Sequence, residues 1–184
     1  MATKLITATQ IKKSLHGAST AELITLITDI AKNCPQAKEF LTVKLSSSEN
    51  TTEILEKYKQ KVEHEFFPKR GFGRLNLREA KKAISDFKKI CPDKSLGIDI
   101  MLFYVENCVE FTNSYGDINE SFYNSAASMF DAVVKEINSS DKAVYDVYAR
   151  RINSIIERAI DGWGFKDELT GIYYEISWVH DEED

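Results

Sequence analysis

All six arginines of this chain lie in two windows, Arg70, Arg74, Arg78 and Arg150, Arg151, Arg158. A guanidinium pairs bidentately with a carboxylate or a phosphate, so each window is a place where an anion can be held. The first window runs through Phe66-Phe-Pro-Lys-Arg-Gly-Phe-Gly-Arg74. Its glycines, its cations and the helix start that follows are the parts of an anion cradle made from backbone N–H groups and guanidinium forks. The G-x-x-x-x-G-K-[ST] spacing of a Walker loop is absent. The binding residues expected here are Lys69, Arg70, Arg74 and Arg78, with Tyr115 and Asp117 on a turn that this loop faces.

The second window answers a different need. Asp99, Glu106 and Glu110 form one narrow stripe on a segment that is otherwise apolar. Carboxylates on a buried helix need partners, because an unpaired buried charge is costly. Arg151 and Arg158 flank the apolar stripe of their own helix, where side chains reach neighbours. Glu106, Glu110, Arg151 and Arg158 are therefore read as structural ion pairs, with the Arg70–Arg74 loop as an alternative partner for the acids.

Charge is segregated on a larger scale as well. From Lys69 to Lys94 there are nine Lys or Arg and three acids, and from Ser95 to Val134 six acids and no cation. The chain as a whole carries −5, with a pI near 5.4, which argues against nucleic acid as a general partner. On a helical wheel Arg78, Lys82 and Lys89 point away from the apolar stripe of their helix, as a solvated face does.

Three function classes follow. The favoured one is a non-enzymatic binding or interaction protein whose Phe66–Arg78 loop takes a protein or another anionic ligand. The second is an enzyme on a phosphate-bearing or other anionic small molecule, with Glu106, Glu110 or Asp117 as the acid–base group. The third is nucleic-acid binding through the Arg78–Lys89 face. No catalytic motif supports the second: G-x-S-x-G is absent, and Cys34, Cys91 and Cys108 read as core residues. The scattered His16, His64 and His180 lack ligand spacing, so neither metal nor cofactor is expected.

The elements that must position these residues are helices. Apolar residues recur at helical spacing along nearly the whole chain. Helices are expected at Thr9–His16, Thr20–Asn33, from Pro35 to Leu45, Thr52–Phe67, and from an Asn76 cap with Glu79 as its box partner to Cys91. Further ones cover Lys94–Ser114, the central and most apolar, Glu120–Asn138 and Lys142–Asp161; Lys166–Trp178 is left as helix or strand. Leu23, Ile24, Ile27, Ile30 and Ala31 share one face of the second helix, while Tyr115 and Tyr123 are expected to be partly exposed. Ile27–Pro35 echoes Ile84–Pro92, two Cys-Pro stops that hint at a helical repeat. The tail 180–184 is expected to fray.

Several segments together resemble an uncharacterised family of small all-helical bacterial proteins. They are Glu22-Leu-Ile-Thr-Leu-Ile, Phe66 to Gly73, Phe111-Thr-Asn-Ser-Tyr-Gly-Asp-Ile-Asn-Glu-Ser-Phe-Tyr-Asn124, and Gly162-Trp-Gly-Phe165. The resemblance spans about residues 5–178 and implies a helical domain without an assigned activity. The expected architecture is all-α: one domain over 1–184, with seven or eight helices in consecutive antiparallel hairpins, arranged like a short repeat array. With no membrane-spanning run and no disulfide framework, the expected setting is the cytoplasm.

Overall fold

The computed structural model describes residues 5–71 and 73–179. The tail expected to fray lies outside them. Among the described residues there are nine α-helices and no strand, so the protein is all-α. The helices divide into two compact units, one ending at Ser47 and the other beginning at Ser48.

The first unit holds α1 (Ala8–Leu15), α2 (Thr20–Asn33) and α3 (Pro35–Leu45). Local sequence starts each of them. Thr7 with Gln10 and Ser19 with Glu22 form reciprocal capping boxes, and Pro35 occupies the first turn of α3, where its missing N–H costs nothing. None of the three helices buries a residue. The apolar face expected on α2 is therefore open, with Ile24, Ile27 and Ile30 all exposed.

The second unit holds α4 (Ser48–Phe66), α5 (Leu77–Ile90), α6 (Lys94–Tyr115), α7 (Glu120–Asn138), α8 (Lys142–Arg158) and α9 (Phe165–Tyr173), with a 3-10 turn at Gly162–Gly164 before α9. The segment left as helix or strand is thus α9. At the centre lies α6, in contact with α4, α5, α7 and α8. Twelve of its 22 residues are buried, among them Ile98, Leu102, Tyr104, Val105 and Cys108. Around it pack Val62, Phe87, Phe130, Val133, Ile152 and Leu169, all fully buried. Each side chain of this kind contributes about 1.5–3 kcal/mol when withdrawn from water.

The stops are as local as the starts. Pro68 follows the end of α4, and Gly116, at φ 82, closes α6 in a conformation that favours glycine. Asn76 accepts from the Glu79 N–H at 3.3 Å and caps α5. Cys34 and Cys91 cap α2 and α5 in the same extended conformation, as a residue before proline must. The echo between the two segments is therefore a shared helix stop, while their packing differs: α5 buries five residues and α2 none.

Candidate functional site

Arg151 and Arg158 of the second window meet a different fate from the arginines of the first. Arg151 reaches from α8 into the acidic stripe of α6. Its Nε donates to Glu106 Oε1 at 2.5 Å, its Nη2 to Glu106 Oε2 at 2.7 Å, and its Nη1 to Asp99 Oδ1 at 2.6 Å. A further N–H reaches the Asp99 carbonyl at 3.2 Å. Burial works against the guanidinium charge, and the carboxylates of Glu106 and then Asp99 more than restore it, holding it above its ordinary range. Lys59 of α4 completes the cluster: its ammonium lies 3.0 Å from Asp99 and 3.0 Å from Glu56, and sits over the Phe103 ring. One turn and more along, Arg158 pairs with Glu110, and Asn113 donates to the Arg158 carbonyl at 3.0 Å. These groups tie α4, α6 and α8 together.

The first window is left for solvent. Lys69, Arg70, Arg74 and Arg78 are exposed, and among the described residues none of them has an ion pair. Two close approaches hold the described part of the loop against the end of α4. The Leu75 N–H donates to the Glu65 carbonyl at 2.8 Å, folding the loop back on the end of α4. Gly73 lies so close that a Cβ there would stand 2.1 Å from the Phe66 carbonyl oxygen. Leu75 takes φ 49, a left-handed conformation that costs a non-glycine residue roughly 1–2 kcal/mol.

Aromatic rings carry this loop onto the turn after α6. Phe67 stacks on Tyr115 with centroids 6.3 Å apart, and both touch Phe111, at 5.8 and 4.7 Å. Tyr115 is exposed, as expected. Tyr123, expected to be partly exposed, is buried: its ring packs 4.9 Å from Phe165 and its hydroxyl donates to Asp117 at 2.9 Å. Burial, and then that hydrogen bond, push the Tyr123 hydroxyl up from its usual value. Asp117 is thus an anchor as well as a surface charge. Its carboxylate also lies against Gly162, where a Cβ would come within 2.2 Å of it. Trp163, next in the chain, is a second left-handed non-glycine residue, at φ 54. The turn after α6 therefore touches the loop through Tyr115 and Phe67, and the 3-10 turn through Asp117 and Gly162.

The basic face of α5 is largely neutralised. Lys82 and Lys89 both bind Asp86, at 3.1 and 2.9 Å, and Lys88 binds Glu136 of α7 at 2.8 Å. Lys81 is half-buried with its ammonium 5.9 Å from the Tyr104 centroid, and burial lowers it from the ordinary lysine value. A shallow groove of about 430 Å³ runs along this face over Ile84, Met101 and Met129, away from the loop cations. Of the three carboxylates weighed as acid–base groups, Glu106 and Glu110 are held by arginines and Asp117 by Tyr123. Among the described residues, no three His, Cys, Asp or Glu side chains cluster as a metal site. Cys91 and Cys108 are buried and Cys34 is half-buried. Burial pushes the Cys108 thiol up, the reverse of what a nucleophile needs.

Lys59, Phe67 and Trp163 escaped the sequence reading. Glu56–Lys59 spacing was visible as an ordinary helix-surface pair, but nothing local announced the reach to Asp99. For Trp163 a signal existed, a large aromatic between two glycines.

The model of a family of unknown function, DUF6155, matches residues 6–177. No curated protein and no solved structure matches the chain. No helix among the described residues is long and apolar enough to cross a membrane.

Proposed function

The chain belongs to DUF6155, and within that family of unknown function we propose that it is a non-enzymatic binding protein whose Lys69–Arg78 loop takes an anionic partner. One observation carries this reading, the division of the arginines. Arg151 and Arg158 are committed to carboxylates, while Arg70, Arg74 and Arg78 stand together on one loop, exposed without an ion pair among the described residues; Arg150, exposed and equally unpaired there, is isolated on α8. Cations gathered on one loop repel each other, and the first turn of α5, where Arg78 sits, is already positive from the helix dipole. A bound anion relieves both. The loop is also pre-shaped by Gly73 and by the Leu75–Glu65 hydrogen bond, so little ordering cost is left for binding. Three cysteines without close pairing suit a reducing, cytoplasmic setting for this role.

The test is the double variant Arg70→Ala/Arg74→Ala, titrated calorimetrically with a polyglutamate peptide and with inorganic phosphate at low ionic strength. Affinity for at least one probe should fall about tenfold, or ~1.4 kcal/mol. Melting temperature should stay within about 2 °C, since exposed charges contribute little to folding. Unchanged affinity, or a large fall in melting temperature, would remove the reading.

A further inference from the structure

Trp163 keeps 68% of its surface in water, and its backbone is held at φ 54, ψ 21. Exposure alone is common in this chain, but at Trp163 it is joined to a left-handed backbone, and strain of that kind is found clustered at binding and active sites. The neighbours lock it there. Gly162 lies against the Asp117 carboxylate, which the Tyr123 hydroxyl holds at 2.9 Å, and Gly164 turns the chain into α9 at φ 70. The turn that Asp117 belongs to presents Tyr115, 55% exposed, which stacks on Phe67 at the start of the basic loop. Two exposed aromatic rings therefore stand on linked turns, and Tyr115 stacks on Phe67, which leads into the loop whose Lys69, Arg70 and Arg74 have no ion pair among the described residues. Trp, Tyr and Arg are the residue types that dominate binding energy at protein interfaces.

We propose that Trp163 and Tyr115 are the apolar anchor of a protein-docking surface whose cationic flank is the Lys69–Arg78 loop. The partner is a protein segment that carries carboxylates toward the loop and, farther along, an apolar side chain with neutral or basic neighbours toward Trp163. Charge separates this from a nucleic acid. Asp161, Asp167 and Glu168 are exposed around Trp163 in the chain, and a phosphate backbone stacking its bases on the indole would run past them. A peptide can set its carboxylates on the loop and keep that end neutral or basic. The proposal rests on the loop's role as an anion site and adds the class of partner and its anchor.

Three probes of equal length separate the outcomes: a Glu/Gly peptide, the same peptide with Leu and Phe inserted, and oligothymidylate. Trp178→Phe leaves Trp163 as the sole tryptophan and removes an indole N–H that is buried without a partner among the described residues. The apolar peptide should shift Trp163 emission to the blue and bind about tenfold tighter than the Glu/Gly peptide. Trp163→Gly should erase that advantage and leave melting temperature unchanged or higher, because glycine suits φ 54. Arg70→Ala/Arg74→Ala should weaken both peptides. Calorimetry with the native tryptophans gives the same comparison if Trp178→Phe does not fold. Equal affinity for both peptides, with Trp163→Gly silent, overturns the anchor and leaves the loop's role standing. Peptide binding that is weak throughout and insensitive to the arginines overturns the loop as well. Tighter binding of oligothymidylate than of either peptide overturns the protein partner.

Discussion

Arginine carries different duties in this protein according to what surrounds it. Arg151 is three-quarters buried, at 25% side-chain exposure, and meets two carboxylates at once, whereas Arg158 is half in water and meets one. Truncating a buried partner strands charge in a poor solvent, while truncating an exposed one lets water take over. Arg151→Ala should therefore cost about 2–3 kcal/mol, less than a fully buried pair because Lys59 still serves Asp99 and solvent reaches the cluster. Arg158→Ala should cost about 0.5 kcal/mol. Chemical denaturation of both variants checks the order, and an equal or inverted order would show that α6 and α8 are not joined through Arg151. Arg151→Lys should recover only part of the loss, because an ammonium cannot span Asp99 and Glu106 with the planar fork. Arg70, Arg74 and Arg78, by contrast, have no ion pair among the described residues.

The cationic loop is defined as an element by what closes it. Pro68 ends α4, Asn76 starts α5, and between them the chain doubles back so tightly that only glycine fits at position 73. Gly73→Ala would place a methyl group on the Phe66 carbonyl, which is backbone and cannot swing aside. The loop must then shift, breaking the Leu75–Glu65 hydrogen bond, at a cost of about 2 kcal/mol. Thermal unfolding should show this as a drop of several degrees, and loop-dependent binding should fall in step. A variant that loses neither would mean that the loop's shape is irrelevant to its role. Helix boundaries were legible because caps and breakers act within four residues: the Ser19–Glu22 box, the Asn76 cap and the Gly116 stop all stand where the residue types put them. The burial of Tyr123 was not legible, since its helical position leaves it at the edge of the apolar face. Phe165 and Asp117, distant in sequence or across a turn, decide the matter.

At the scale of the whole molecule, burial is distributed very unevenly. In α1, α2 and α3 no residue is buried, whereas α6 alone buries twelve. Isolated helices of eight to fourteen residues are marginal in water, and caps add only about 1 kcal/mol each. Amide hydrogen exchange should therefore find the weakest protection in α1–α3 and the strongest in α6, around Leu102 to Cys108. Protection in α2 equal to that in α6 would show that its apolar face is covered in solution. The charge segregation seen along the chain also resolves at this scale. The acids of α6 turn to Arg151 and Arg158, Lys82, Lys88 and Lys89 of α5 turn to Asp86 and Glu136, and Lys69, Arg70, Arg74 and Arg78 are left together on one short loop without an ion pair among the described residues.

The sequence by itself determined that this protein is helical, where most helices begin and end, and that α6 is the central one. Those properties follow from periodicity, capping and the exclusion of proline and glycine, all read within a few residues. It also singled out the loop at Lys69–Arg78 and the acids that need partners. Only the tertiary structure decided which acid each cation meets, because Lys59–Asp99, Lys88–Glu136 and Arg151–Glu106 join residues far apart in the chain. The same holds for Trp163. It is exposed next to Gly162, which rests against Asp117, a contact between two turns that no local pattern encodes.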